Sequence, residues 1–216
     1  LARHPRIWLP PVKELHYFDQ QRRGALRSRA YRNHLRARAN HYLRTTCALE
    51  FDYGLLGWDL RYFLRRRNDR WYRSVFRPKA GQLSGEITPA YSVLSRSTIA
   101  QIRGQYPQLK VILMLRNPVD RAWSHVHRRL ARHRRSASKA TRQDMVDLLF
   151  SNSVMRRGHY ATILDNWEAA FGRDQFFIGF FDEIADRPEE LLQRLCEFLC
   201  LDCDPAVFAA DLIRRR

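Results

Sequence analysis

Near the start of the chain, the stretch PVKELHYFD at residues 11–19 sets a carboxylate, an imidazole and a second carboxylate at Glu14, His16 and Asp19. In an extended segment side chains alternate between faces, so Glu14 and His16 would project from one side. A carboxylate beside an imidazole is a proton-transfer pair. The same residues also suit a solvated strand edge, and these nine positions alone leave both readings open. A second polar set follows the apolar run KVILML at 110–115, where Arg116, Asn117 and Pro118 break the run. Asn117 is a good helix N-cap and Pro118 a good first helical residue. Arg116 then stands at the carboxyl end of a buried strand, the place where open α/β sheets bind ligands, with a helix N-terminus aimed at the same crevice. A guanidinium, backbone amides and a hydroxyl would hold an anion there. An ion pair between Arg116 and Asp120 accounts for the same spacing.

The elements that must position these residues follow from periodicity. KVILML reads as a strand buried on both faces of a parallel sheet. The helix after it would bury Val119, Trp123, Val126 and Leu130 and turn Asp120, Ser124, His127 and Arg128 to the other side. GHYATILDNWEAAFG places Tyr160, Ile163, Leu164, Trp167 and Phe171 on one stripe ended by Gly172, QFFIGFF supplies a second buried strand, and Pro188 opens another helix. Upstream, residues 20–73 form an arginine-studded helical region, GQLSGEITPAY a short strand with a Thr-Pro turn, and STIAQIRGQYPQL a helix. Alternating strands and helices predict an α/β fold, a parallel sheet flanked by helices, in a single domain over residues 1–216.

Composition bounds the partners. The net charge of +17 comes mostly from arginine, since the lysines are Lys13, Lys79, Lys110 and Lys139. With a pI of about 10.6 the chain favours anionic partners. No run is apolar for the eighteen residues of a membrane span and no signal peptide opens the chain. Cys196, Cys200 and Cys203 have the C-x3-C-x2-C spacing of radical SAM enzymes. Yet PEELLQRLCEFLCLDC reads as an amphipathic helix, which makes Cys196 a core residue, Cys47 stands alone, and no metal site or disulfide framework is implied. A reducing cytoplasm is the simpler setting. Interleaved aromatics at Trp58, Tyr62, Trp71 and Tyr72, with the basic charge, keep a nucleic-acid-binding module as the alternative, against the solvated helix face that arginine runs usually form.

LKVILMLRNPVDRAWSHVHRRL resembles the 3′-phosphate-binding segment of PAPS-dependent sulfotransferases, and RRGHYATILDNWEAAFGRDQFFIGFFDEIADRPEELLQRLCEFLCL is similar to that family's next helix, strand and helix. RHPRIWLPPVKELHYFD and GEITPAY resemble bacterial members and the heparan sulfate N-deacetylase/N-sulfotransferase and 3-O-sulfotransferase branch. The four blocks stand in the family's order. The resemblance implies a P-loop-kinase-like α/β sandwich and sulfuryl transfer from PAPS to a hydroxyl or amine of a carbohydrate (saccharide) or small-molecule acceptor, with adenosine 3′,5′-bisphosphate as product and no metal. Arg116 and Ser124 would bind the 3′-phosphate. Glu14 would be the base for the acceptor, with His16 and Asp19 beside it.

Two departures matter. The family's 5′-phosphosulfate loop, P-K-x-G-T-[TS], would lie just before Leu1, so the resemblance implies a chain without its first strand and loop, truncated at both ends and inactive as it stands. RPKAGQLSG at 77–85 imitates that loop, but no apolar strand precedes it and a strand rather than a helix should follow. Heparan-directed members tend to read EKTPAY where this chain has Ile87, which makes an acidic, heparan-like acceptor less expected.

Overall fold

Two parallel strand pairs organise the chain, one in each of two compact units spanning residues 1–91 and 92–216. The computed structural model describes residues 4–20, 29–45, 52–132 and 141–203.

In the first unit β1 (Ile7–Trp8) lies parallel to β2 (Leu83–Ser84), with the Leu83 amide donating to the Arg6 carbonyl at 2.8 Å. Between them run α1 (Arg29–Thr45), α2 (Tyr53–Leu64) and α3 (Asp69–Ser74), so the predicted helical region is present. Asp52 caps α2 by accepting from the Leu55 amide, and Asn68 caps α3 by accepting from Trp71. The core is aromatic. Trp58 stacks on Tyr62 at 5.0 Å and Tyr17 on Tyr72 at 4.7 Å, while the indoles of Trp58 and Trp71 donate to the Val75 and Tyr62 carbonyls. Trp58, Tyr62, Trp71 and Tyr72 are all buried, so the platform on which nucleic-acid bases would stack is the interior of the unit. Buried Asp59 accepts from Arg38 Nε at 3.0 Å and from the Tyr42 hydroxyl, which pins α1 to α2. Exposed Arg32 and Arg36 fit the solvated-face reading. Cys47 and the arginines of residues 21–28 lie outside the described residues. RPKAGQLSG is a turn through Gly81, at φ 79°, that leads into β2, a strand and not the helix that a phosphate loop opens.

The second unit runs α4 (Arg96–Gln105), β3 (Val111–Leu115), α5 (Pro118–Arg132), α6 (Arg142–Leu149), α7 (Asn152–Met155), α8 (Tyr160–Glu168), β4 (Phe176–Phe180), α9 (Glu183–Asp186) and α10 (Pro188–Leu199). β3 and β4 pair in parallel from Val111 with Phe176 to Leu115 with Phe180, the crossover topology of an α/β fold. Three expectations need correction. β3 alternates rather than burying both faces: Ile112 and Met114 are exposed while Leu115 is buried, so one face of the strand is left uncovered among the described residues. α5 forms as predicted and buries Val126, 1% exposed, as expected, but its first two turns leave Val119 72% and Trp123 47% exposed. On the same helix Arg121 reaches inward, its guanidinium donating to the Val154 carbonyl at 2.7 Å beside Gly158. α8 ends at Glu168, and Gly172, in extended conformation, opens the next turn instead of closing the helix.

α10 has Pro188 at its first position and buries Leu191, Leu195 and Cys196, as the periodicity predicts. Burial pushes the Cys196 thiol up to about 11. Cys200, exposed, forms the left-handed helix end, and Cys203 lies beyond it, so the three sulfurs sit on a helix and its terminus rather than on a ligand loop. Among the described residues no three His, Cys, Asp or Glu side chains gather as a metal site, and no helix is long and apolar enough to cross a membrane.

Candidate active site

PVKELHYFD is not extended. Glu14 and His16 adopt left-handed backbone with φ 59° and 53°, and Leu15 between them is 1% exposed. Left-handed conformation costs a residue with a Cβ about 1–2 kcal/mol, so the neighbours must hold this turn. The turn does what alternation was expected to do. His16 Nδ1 lies 2.9 Å from Asp19 Oδ2 and His16 Nε2 lies 3.1 Å from Glu14 Oε2, which makes one line of Asp19, His16 and Glu14.

The line favours the charged form of the ring. A neutral imidazole has one nitrogen that only accepts, and an ionised carboxylate only accepts too; both contacts are satisfied when the ring carries two protons and donates twice. The hydrogen bond to Asp19 and the charges of Asp19 and Glu14 raise the His16 pKa above the ordinary 6.5, against the lowering by burial. Exposure then separates the roles. The Glu14 side chain is 48% exposed and that of His16 15%, so Glu14 presents a free carboxylate edge outward while both imidazole nitrogens are engaged behind it. The residues after Asp19 that a helix cap would serve lie outside the described residues.

Behind this line stand residues that the motif did not single out. His34 on α1 is near enough for the His16 charge to act on it, and burial pushes its pKa below the ordinary value. Glu86, in GEITPAY, accepts from the hydroxyls of Tyr72 at 2.6 Å, Thr88 at 2.6 Å and Tyr91 at 3.0 Å. Burial raises the Glu86 pKa, and these donors oppose the rise. An acid inside an otherwise apolar and hydroxyl-bearing block was the available signal.

In the second unit Arg116 follows β3, with its guanidinium 4.8 Å from the centre of the Phe181 ring. The alternative pairing fails: among the described residues no carboxylate lies within ion-pair distance of Arg116, Asp120 included. The Tyr160 hydroxyl donates to the Arg116 carbonyl at 2.7 Å and ties the strand end to α8. Asn117 caps α5 as predicted, its Oδ1 accepting from the Val119 amide at 2.9 Å and from Asp120 at 3.4 Å. Those first-turn amides are therefore engaged by the cap, which leaves the Arg116 guanidinium and the half-buried Ser124 hydroxyl as the anion donors of the expected set.

The parallel strand pair of the second unit, with helices before, between and after its strands, agrees in fold with the comparisons with known proteins. The sulfotransferase domain family matches residues 100–210, just over half of the chain, and the chain belongs to that family. Heparan sulfate glucosamine 3-O-sulfotransferase 6 of Homo sapiens is 32% identical over 168 residues, covering 73% of this chain and 49% of its own length. The Mus musculus protein of the same name is 32% identical over 147 residues, covering 65% and 43%. The chain thus spans under half the length of these curated relatives. In fold it resembles a sulfotransferase from Alicyclobacillus acidocaldarius, with TM-score 0.58, 22% identity and coverage of 99% of this chain and 83% of that one. It also resembles the sulfotransferase domain from the curacin biosynthetic pathway, with TM-score 0.62, 14% identity and coverage of 96% and 70%.

Proposed function

We propose that this chain supplies the acceptor base and the 3′-phosphate site of a PAPS-dependent sulfotransferase acting on a hydroxyl or amine. The observation that carries the reading is the Asp19–His16–Glu14 line, with the carboxylate of Glu14 at its exposed end. In the reaction an acceptor oxygen or nitrogen attacks sulfur, the bond from sulfur to the 5′-phosphate oxygen breaks, and adenosine 3′,5′-bisphosphate leaves. Glu14 takes the acceptor proton, His16 holds Glu14 in place, and Asp19 holds His16 in its doubly protonated form. Arg116 and Ser124 bind the 3′-phosphate. Ile87, next to Glu86 in the same unit as Glu14, is 64% exposed, and this apolar side chain supports a carbohydrate or small molecule of lower charge than heparan. Cys196, Cys200 and Cys203 are free thiols, which suits a reducing, cytoplasmic setting.

Residues 1–216 contain no P-K-x-G-T-[TS] run, so the test supplies that loop upstream and keeps the unextended chain as the control expected to be silent. In the loop-bearing protein Glu14→Gln keeps size and polarity but accepts no proton. Turnover should fall by about 10² to 10⁴ while affinity for adenosine 3′,5′-bisphosphate stays unchanged. Normal turnover with an unchanged pH profile would place the base elsewhere.

A further inference from the structure

His16 is held by its backbone as well as by its ring. Its φ of 53° is set by the two peptide groups that flank it, and each is gripped from another part of the first unit. The carbonyl before it, that of Leu15, accepts from the Arg67 guanidinium, which lies 4.4 Å from the centre of the Trp71 ring. The amide after it, that of Tyr17, donates to the Tyr91 hydroxyl at 2.8 Å, and that hydroxyl donates in turn to Glu86 Oε1 at 3.0 Å. The Leu15 amide also acts on the Glu86 carboxylate. Glu86 accepts two further hydroxyls, from Tyr72 and Thr88, so it is anchored independently of the turn.

We infer that Glu86, through Tyr91, and Arg67 are positioning residues: they clamp the peptides on either side of His16 in the left-handed turn that brings Glu14, His16 and Asp19 into line. The inference rests on the proposed role of Glu14 for its catalytic meaning, but not for its structural content. Without the clamp, a residue with a Cβ returns to ordinary backbone, where the Cβ is no longer crowded against the following carbonyl oxygen. The imidazole then leaves its two carboxylates. With it goes the geometry of a base, in which a misplacement of about 1 Å costs on the order of 10² in rate.

The test needs no turnover in its first arm. In the 216-residue chain the ring of His16 is titrated by NMR, and the amides of Leu15 and Tyr17 are followed by hydrogen exchange. The groups acting on that ring are Glu14, Asp19 and, from α1, His34. Tyr91→Phe removes one hydroxyl, and Glu86→Ala removes the anchor. Both should lower the His16 midpoint toward the ordinary 6.5 and speed exchange of the Tyr17 amide by about tenfold or more. Glu86→Gln keeps a carbonyl oxygen for Tyr91 and should restore most of the wild-type midpoint. In the loop-bearing protein kcat should fall by about 10- to 100-fold in Tyr91→Phe, with nucleotide KM within about twofold. A folded Tyr91→Phe chain with wild-type midpoint and exchange overturns the clamp, and so does a fall in kcat without any change in the midpoint. Tyr91→Phe decides the matter if Glu86→Ala does not fold. Retained activity in Glu14→Gln would instead remove the base assignment and leave the titration result standing, so the two failures are distinct.

Discussion

Replacing Asp19 by asparagine isolates the charge that holds the histidine. The side chains of His16 and Asp19 are 15% and 20% exposed and meet at 2.9 Å, so solvent screens the pair only partly. A hydrogen bond involving a charged group contributes about 1.5–3 kcal/mol and a neutral one about 0.5–1.5. The carboxamide oxygen of the variant can still accept from Nδ1, so Asp19→Asn loses about 1–1.5 kcal/mol, or roughly one unit of the His16 pKa at about 1.36 kcal/mol per unit. The wild-type pKa is raised, so the native state binds the proton more tightly than the unfolded chain does. The resulting stability is fully present below pH 6.5 and is lost as pH rises through the higher folded value. Two measurements check this. NMR titration of His16 should give a midpoint roughly one unit lower in Asp19→Asn, and denaturant unfolding should show the variant less stable at about pH 6 but close to wild type well above the folded midpoint. An unchanged midpoint, or a stability loss that is the same at every pH, would show that the Asp19 charge does not hold the ring.

Two further outcomes test the rest of the structure. Arg116→Ala should weaken adenosine 3′,5′-bisphosphate binding by about tenfold or more, and Ser124→Ala by less, by calorimetry on folded protein; wild-type affinity in the arginine variant removes the 3′-phosphate assignment. Asp59→Ala leaves Arg38 without its carboxylate partner and should cost about 3–5 kcal/mol in denaturant unfolding; a loss below about 1 kcal/mol would mean that the contact between α1 and α2 contributes little.

What the sequence shows and what it hides divide along physical lines. α8 and α10 are legible because their apolar residues repeat at the helical period, and β3 and β4 because each is a short continuous apolar run. The inward turn of Arg121 on α5 is not, because its guanidinium donates to the Val154 carbonyl, a contact 33 residues away that hydrophobic spacing does not encode. The same holds at the candidate site. Glu14, His16 and Asp19 are visible as chemical types at short spacing, yet alternation in an extended strand is the wrong cause for their meeting. The cause is a left-handed turn at two residues with no glycine to mark it. Arg67 and Tyr91 hold that turn across 52 and 74 residues of sequence, with Glu86 behind Tyr91, and each looks, in its own segment, like an ordinary arginine of a basic run or an ordinary residue of a turn.

The position of Glu14 bears on how the transfer would run. A carboxylate is roughly ten units less basic than the anion of a hydroxyl, so it cannot strip the acceptor before attack. The proton can move only once the forming oxygen-sulfur bond has made the hydroxyl acidic, which is general-base catalysis within the transition state. Basicity is therefore not what the hydrogen bond between His16 and Glu14 supplies. Its benefit is geometric. In a step where the proton moves late, the rate depends on having one carboxylate oxygen in line with the acceptor at that moment, and an imidazolium fixed between two carboxylates holds Glu14 to one orientation. The residues that hold the holder then matter on the scale of the base itself. Tyr91→Phe and Glu86→Ala should therefore lower kcat without changing nucleotide affinity, the same pattern expected of Glu14→Gln, although both residues act on Glu14 only through the turn.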